Sequence, residues 1–427
     1  MPDRSENLFR SFHALKGNAR IAVLFQPLWG LPYFLYKFYL SLYMMSQGVT
    51  KREIGYLISL GFIFGALFSF FSGIVTDAWG RRMTTLIFDM ISWPGAVLFY
   101  LIGGSYWIFV LATLINSTVR IVSVSWNLMI VEDADRRQQV GAFNWLNIIN
   151  ISTGVLTPLA GLLVLHLGII RAEKILLVFA AVSMSVMIIA RHHYFRETKI
   201  GLEILKEHRE KGKALWRRNL YRPALDAYKG KPDVKMASWL LVLFNAYLPV
   251  GTFNSLYFAP YLTEVLKLDK SAISFLGGVL SLMMLLVFSL VMPVLSKRNH
   301  IPIMVWGILL QILSLTMMVF IPRGHFLLAV VSVAVFATGY AVTKPFIDTF
   351  LADVTSGRER AGVFALNNTI TMITSAVFGF VSGYLYDICQ PLIYIASIAI
   401  LLVCICILTR FHYNRKMKSV TEMPSAM

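Results

Sequence analysis

Residues 73–82 read Gly73-Ile-Val-Thr-Asp77-Ala-Trp-Gly80-Arg81-Arg82, a short charged connector between two long apolar stretches. Gly80 permits a tight turn, and Gly73 lets a neighbouring helix approach closely. Asp77 lies near the C-terminal, negative end of the preceding helix, which is unfavourable unless a partner compensates its charge. The connector therefore predicts two membrane helices joined by a charged turn.

The rest of the chain has the composition of a membrane protein. Of its 427 residues, 57% are hydrophobic and only 14% are charged, and the mean hydropathy is +0.68. Soluble domains carry about 25% charged residues, so a water-exposed surface could not be covered here. The apolar residues fall in blocks of about 20, the length at which a helix crosses the hydrocarbon core. We therefore expect an all-α protein that spans the membrane.

Charged and Gly/Pro/Asn-rich breaks divide the apolar blocks into twelve predicted spans. These are 21–46, 54–76, 84–103, 107–131, 141–165, 172–191, 237–263, 272–295, 301–321, 326–352, 360–386 and 391–410. The longest connector, 192–236, divides the chain into two predicted six-span bundles, 1–191 and 237–427. Within this connector, Thr198–Arg218 alternates apolar and basic residues and predicts amphipathic helices on the inner membrane surface.

The basic residues predict the orientation. With the N-terminus inside, 29 lysines and arginines fall in cytoplasmic segments and 7 in external loops. The positive-inside rule then places both termini in the cytoplasm of a multi-pass protein of the plasma (inner) membrane. The net charge of +17 is explained by this bias, so we expect membrane lipids and no nucleic acid among the partners.

The two predicted bundles share a sequence repeat. Gly141-Ala-Phe-Asn-Trp-Leu-Asn147 opens span five, and Gly362-Val-Phe-Ala-Leu-Asn-Asn368 opens span eleven, at an offset of 221 residues. The same offset aligns Glu132 with Asp353. These matches fall in polar connectors, where shared apolar bias does not produce them. Six spans per half give both halves the same orientation, a parallel repeat about an axis along the membrane normal.

Residues 73–82 resemble the G-x-x-x-D-x-x-G-R-[RK] signature of the major facilitator superfamily, except that Ala78 replaces a common basic residue. The resemblance extends to the whole chain through the twelve spans, the repeat and the basic central connector. It implies a secondary transporter that works by alternating access. It also implies that spans one, four, seven and ten line a central cavity. Asp77, with Arg81 and Arg82, would form a cytoplasmic latch with the start of span eleven.

Three basic residues lie inside predicted spans, namely Lys37, Arg120 and Lys344. A charge at mid-bilayer costs about 2.5–3.5 kcal/mol even on the lenient insertion scale, so each one needs a reason. Lys37 is ten residues from the outer end of span one and Arg120 eleven from the inner end of span four, roughly 15 Å deep at the helical rise. All three lie on spans that the resemblance places around the cavity.

Asp89 and Asp348 are the carboxylates that the sequence places well inside spans, and they are the predicted coupling residues. Asp348 can pair with Lys344 one helical turn away, and Asp89 can pair with Arg120. Lys37 still lacks an acidic partner. Surplus positive charge in an apolar cavity predicts an anion-binding site. Aromatic residues on the same spans favour an organic anion, such as a carboxylate, a phosphorylated compound or a lipid headgroup.

The predicted substrate-binding residues share a cavity-facing position and a polar or aromatic side chain: Lys37, Arg120, Lys344, Tyr33, Asn116, Tyr340, Asn245 and Asn254. The predicted latch consists of Gly73, Asp77, Gly80, Arg81 and Arg82. We expect a monomer that binds a small-molecule substrate and a coupling proton or ion, without cofactor or metal.

Two alternatives remain open at this stage. A proton-coupled exporter of amphipathic drugs is favoured if Asp348 titrates instead of pairing with Lys344. A membrane receptor that keeps the fold without transport is the alternative of another class. An enzyme is not expected, because no span carries paired carboxylates, a histidine cluster or a nucleophile beside a base.

Overall fold

The computed structural model describes residues 12–211, 231–248, 251–253, 255–295, 300–354 and 359–421, and within these ranges every regular element is a helix. Contacts divide the chain into two compact units. The first comprises Met1–Arg218 and Lys270–Gly278, and the second comprises Asn219–Asp269 and Val279–Met427.

The first unit contains the helices of the first six spans and of the following connector. They are α1 (Gly17–Phe25), α2 (Pro27–Lys37), α3 (Leu40–Ser46), α4 (Lys51–Trp79), α5 (Arg81–Met90), a π-helical turn (Ile91–Gly95), α6 (Ala96–Ile102), α7 (Tyr106–Ser117), α8 (Val119–Val131), α9 (Arg136–Val155), α10 (Pro158–Tyr194) and α11 (Lys199–Lys211).

The predicted continuous first span, 21–46, is wrong in detail, because the structure breaks it twice. Pro27 begins α2 and has no N–H to continue the helix that ends at Phe25. The second break lies between α2 and α3, where the N–H of Tyr39 bonds the carbonyl of Tyr36 at 3.1 Å in a tight three-residue turn. Lys37 is therefore the last residue of a half-length helix.

Span three widens into a π-helical turn at Ile91–Gly95, which contains Pro94. Proline removes one backbone donor, and such irregular turns are found where a helix accommodates that loss. The amide of Asn116 in α7 donates a hydrogen bond to the carbonyl of Ser92 in this turn, at 2.9 Å. Span four is thereby attached to the irregular part of span three.

Spans five and six are joined without a long loop. Helix α10 continues from Pro158 to Tyr194 across a kink at Gly168, whose φ of 75° and ψ of 165° are accessible to glycine without strain. The chain therefore enters span six earlier than the predicted residue 172. The part of span six nearest the kink belongs to the packed bundle.

The second unit contains the remaining spans. Its helices are α12 (Pro232–Tyr247), α13 (Phe258–Glu264), α14 (Lys270–Leu286, of which Lys270–Gly278 belongs to the first unit), a π-helical turn (Val287–Val291), α15 (Met292–Leu295), α16 (His300–Phe320), α17 (Phe326–Val354), α18 (Glu359–Ile388) and α19 (Leu392–Thr421). The predicted span seven, 237–263, is also not one continuous helix, since α12 ends at Tyr247 and α13 begins at Phe258.

Some pairs of neighbouring helices recur in the two units. In the first unit, α2 packs against α9 and α10, and the helices of span three pack against those of span four. In the second unit, α12 packs against α18 and α19, and α16 packs against α17. Within the described ranges, nine stretches are long and apolar enough to cross a membrane, and one of them, Gly141–Tyr194, contains two spans. With the broken spans one and seven, the helices are consistent with the predicted twelve-span fold.

Candidate functional site

Lys37 stands beside an aromatic cluster in span one. Its ammonium group lies 5.2 Å from the centre of the Tyr33 ring, within the range of a cation–π interaction. Tyr33 stacks on Trp29 at 4.8 Å between ring centres, and both rings contact Trp93 edge-on, at 5.6 Å and 5.1 Å. The cluster places flat aromatic surface next to a cation.

Arg120 lies near the start of α8, and its side chain is half-buried. Tyr33 is close enough to interact electrostatically with the guanidinium group. In the described part of the chain, Arg120 makes no side-chain hydrogen bond or ion pair. Tyr33 is therefore a neighbour of both predicted cations of the first unit, and the structure brings Lys37, Tyr33 and Arg120 into one region.

The alternative in which Asp89 pairs with Arg120 is not what the structure shows. Asp89 instead forms a buried ion pair with Arg191 near the end of α10, and both side chains are at most 5% exposed. Sequence reasoning counted Arg191 among the cytoplasmic charges because it closes span six, and no signal in the sequence points to its partner. Since Arg191 neutralises Asp89, the negative charge of Asp89 is not available to Arg120.

A cavity of about 230 Å³ lies within the first unit. It is lined by Gln26, Trp29, Asp89, Trp93, Val119, Val122, Ser123, Trp126, Asn150, Met187 and Arg191. The amide of Gln26 donates to the carbonyl oxygen of Asn150 at 2.9 Å. The buried indole N–H groups of Trp29 and Trp126 have no hydrogen-bond partner among the described residues. These two donors are available to a ligand with hydrogen-bond acceptors.

Two polar side chains of span four, besides Arg120, make structural hydrogen bonds. Asn116 donates its amide to Ser92, and the hydroxyl of Ser123 donates to the carbonyl of Arg120 in its own helix at 2.8 Å. Asn116 therefore supports span three, and its role as a substrate ligand stays a prediction. The Arg120 side chain has no such structural bond within the described ranges.

Two of the predicted substrate-binding residues of the second unit, Tyr340 and Asn245, make contacts within that unit. Tyr340 stacks between Phe244 and Phe336, with ring centres 6.4 Å and 6.1 Å away. The amide of Asn245 donates to the carbonyl of Leu241, one turn back in α12, at 2.9 Å. Lys344 lies on α17 and is half-buried. Asn254 and the side chain of Asp348 lie outside the described residues, so the Lys344–Asp348 pair and the drug-exporter alternative stay predictions.

The residues of the predicted latch form a compact charged cluster in the first unit. Arg81 donates to Asp77 at 2.9 Å and to Glu132 at 3.1 Å, so one arginine joins two carboxylates. Glu197 accepts the backbone N–H groups of Arg81 and Arg82, at 3.2 Å and 2.9 Å, at the start of α5. These carboxylates compensate the donors at a helix N-terminus.

The arginines and glycines of the motif differ in their surroundings. The guanidinium group of Arg82 donates to the carbonyl of His192 at 2.9 Å. Gly80 has a φ of 82°, and a Cβ there would lie 2.7 Å from the Glu197 carboxylate. A Cβ at Gly73 would meet no described atom within 4 Å, so the close helix approach predicted for Gly73 is not seen there. The contact of Asp77 with span eleven stays a prediction.

Comparisons with known proteins agree with this architecture. A family model described as Major Facilitator Superfamily matches residues 28–369 and 239–423. The chain belongs to the major facilitator superfamily. No curated protein sequence matches it significantly.

Solved structures of major facilitator transporters share the fold at low sequence identity. A variant of the nucleoside transporter NupG is 15% identical, with a TM-score of 0.72 over 92% of this chain and 100% of its own. A D-xylose–proton symporter is 14% identical, with a TM-score of 0.70 over 95% and 98%. A bacterial homologue of the iron transporter ferroportin, in an inward-facing state, is 14% identical, with a TM-score of 0.68 over 95% and 99%. At these identities the likeness shows the fold alone.

Proposed function

We propose that this major facilitator transporter moves a small organic anion by alternating access, and that Arg120 and Lys37 bind the negative charge. The observation that carries the proposal is the pairing of Asp89 with Arg191, because it leaves Arg120 without a carboxylate among the described residues. An arginine inside a membrane span is costly, and intramembrane charges are usually retained for function.

The neighbours of Arg120 favour an organic ligand over a bare inorganic ion. Tyr33 lies near both cations, and Trp29 and Trp93 extend the aromatic surface around it. A planar group of the substrate would stack on these rings while its carboxylate or phosphate accepts two hydrogen bonds from the guanidinium group. Lys37, which also neighbours Tyr33, would add a second charge-assisted contact, and Lys344 of the second unit is a further proposed contributor.

A second candidate substrate is an uncharged planar molecule with several hydrogen-bond acceptors, such as a nucleoside. The cavity of the first unit favours it, because the indole N–H groups of Trp29 and Trp126 are buried donors without a described partner. Structural neighbours include a nucleoside transporter and a D-xylose–proton symporter. Gln26 and Asn150 would add amide groups at the same cavity.

A thermal-shift screen of the purified protein discriminates between these substrates, since a ligand stabilises the state that it binds. The panel contains carboxylates, sugar phosphates and nucleoside monophosphates, together with uncharged nucleosides, xylose and cationic drugs. Anions should raise the melting temperature of the wild type and have no effect on Arg120→Gln. Stabilisation of both proteins by an uncharged nucleoside would support the second candidate, and stabilisation by cationic drugs alone would support the exporter alternative.

A further inference from the structure

Glu173 is a buried carboxyl group in span six that the proposed anion site does not use. It lies five residues beyond the kink at Gly168, and its side chain is 0% exposed. Neither carboxylate oxygen has a hydrogen-bond partner among the described residues. Glu173 is the second residue of the predicted span 172–191, beside Arg171 and Lys174, which indicate the external end, and the structure leaves both of those side chains exposed.

Tyrosines from span one lie in the neighbourhood of this carboxyl group. Helix α10 packs against α2, α3 and α6, and Tyr36, Tyr39 and Tyr43 are near enough to Glu173 for the charge of an ionised carboxylate to act on them. From α6, Tyr100 contributes its backbone carbonyl to the hydroxyl of Tyr43 at 3.0 Å. The charged side chains of the neighbouring helices make no hydrogen bond to the carboxyl group in the described part of the chain.

Those charged side chains do not neutralise Glu173. His166, Arg171 and Lys174 of α10 and Lys270 of α14 are exposed, and Lys37 stands over the ring of Tyr33. An ionised carboxylate without a hydrogen bond or a counter-ion is strongly disfavoured in apolar surroundings. The packing seen here is therefore that of the neutral carboxylic acid, and ionisation requires that water reach Glu173.

Tyr39 connects this carboxyl group to the segment Lys270–Gly278 of the same unit. The hydroxyl of Tyr39 donates to the carbonyl of Lys270 at 2.7 Å, and it also lies 3.0 Å from the hydroxyl of Ser274. The hydroxyl of Thr157 donates to the carbonyl of Ser274 at 2.8 Å. An ionised Glu173 would compete for the Tyr39 hydroxyl as a stronger acceptor. Loss of the proton would therefore weaken the attachment of Lys270–Gly278.

We propose that Glu173 is a proton-binding site of this transporter. The carboxylate takes up one proton from water when the surrounding helices open, and the neutral acid is enclosed when Tyr39 bonds Lys270 and Ser274. Release is the reverse step, in which the proton returns to water and the segment Lys270–Gly278 loosens. Only the statement that this proton accompanies transport rests on the proposed function, since proton binding itself does not depend on the substrate.

The first test measures proton binding directly, on the purified full chain in detergent. Infrared spectra are recorded from about pH 5 to about pH 9. Exposed carboxyl groups are ionised over most of this range, so they contribute little to the carboxylic-acid band. The wild type should show a carboxylic-acid carbonyl band equivalent to one group that disappears towards the alkaline end. Glu173→Gln should lack this band, and Glu203→Gln, which removes an exposed carboxylate of α11, should keep it.

The second test measures the segment Lys270–Gly278. Ala272, which is 8% exposed, is replaced by cysteine in a chain whose Cys389, Cys404 and Cys406 are serines, and maleimide labelling is followed at both ends of the pH range. Each rate is divided by that of the same protein denatured in SDS at the same pH, which corrects for the larger thiolate fraction at alkaline pH. This relative labelling should be roughly tenfold faster at alkaline pH, and Glu173→Gln should abolish the difference, because its amide cannot ionise.

A Glu173→Gln protein that keeps the whole titrating band overturns the proposal, and so does relative labelling of Ala272→Cys that is independent of pH in the chain that keeps Glu173. If Glu173→Gln does not fold, Glu173→Asp retains a titrating carboxyl group and should move the midpoint of the band, and an unmoved midpoint counts against Glu173. A titrating band in a protein that binds no organic anion would refute the proposed substrate and leave the proton site in place.

Discussion

Arg191 of span six forms a buried ion pair with Asp89 of span three, across 102 residues of sequence. Breaking such a pair leaves an uncompensated buried charge, which costs about 3–5 kcal/mol. We expect Arg191→Gln to lower the melting temperature strongly. The double variant Asp89→Asn with Arg191→Gln should recover much of this loss, because neither charge then remains. A loss in the double variant equal to the sum of the two single losses would show that the two residues act independently.

Arg120→Gln, unlike Arg191→Gln, should keep a melting temperature close to that of the wild type while it loses transport. Because the guanidinium group has no ion pair in the described ranges, the variant should melt within a few degrees of the wild type and lose uptake of the organic anion. Arg120→Lys should restore uptake poorly, since an ammonium group does not provide the two-pronged guanidinium contact. Lys174→Gln removes an exposed cation from span six and should leave uptake unchanged. Restoration of uptake by adding Asp89→Asn to Arg120→Gln would contradict this assignment.

Lys37→Gln tests the second cation of the proposed site. We expect a loss of anion-induced thermal stabilisation, with a small intrinsic change because the cation–π contact with Tyr33 contributes only about 0.5–2 kcal/mol. Lys37→Arg keeps the charge and should retain part of the stabilisation. If organic anions stabilise Lys37→Gln as much as they stabilise the wild type, Lys37 is not part of the binding site.

Asp77 and Glu132 of the latch cluster both bind Arg81, so variants of these two carboxylates can be compared directly. The Asp77 side chain is 40% exposed, so its bond to Arg81 should contribute less than about 1 kcal/mol to stability. Asp77→Asn should therefore melt almost normally while it shifts the conformational balance, measured by the labelling rates of single cysteines at cytoplasmic positions. Glu132 is 8% exposed and binds both Arg81 and Thr198, so Glu132→Gln should melt at a clearly lower temperature. Unchanged labelling in Asp77→Asn would argue against a latch.

The two glycines of the motif should respond differently to alanine. Gly80→Ala forces a side chain into the left-handed region, at a cost of about 1–2 kcal/mol, and displaces the Glu197 carboxylate from the start of α5. Gly73→Ala lies inside α4 with open space around the added methyl group, and alanine is favoured over glycine in a helix by roughly 0.5–1 kcal/mol. Thermal melting should show a lower melting temperature for Gly80→Ala and a slightly higher one for Gly73→Ala. Equal destabilisation of the two variants would mean that Gly73 has a packing role.

The fold was predictable because apolar blocks of span length and the 221-residue repeat are properties of the sequence alone. The aromatic and basic composition of span one also pointed to Tyr33 and Lys37. The pairing of Asp89 was not predictable, since Arg191 sits at a span end, where an arginine ordinarily reaches water. Glu173 was missed for a related reason. Its neighbours Arg171 and Lys174 are charged and exposed, and only the packing of α10 shows that Glu173 faces inward.

The separation of Asp89 from Arg191 also has a consequence for biogenesis. Span three leaves the ribosome before span six, and at about 5–20 residues per second the 102 intervening residues take roughly 5–20 s to synthesise. During that interval Asp89 has no counter-ion, so span three must stay near the membrane surface or carry a protonated carboxyl group. Arrival of Arg191 neutralises Asp89. A chain that stops short of span six therefore leaves this acid unmatched in the membrane.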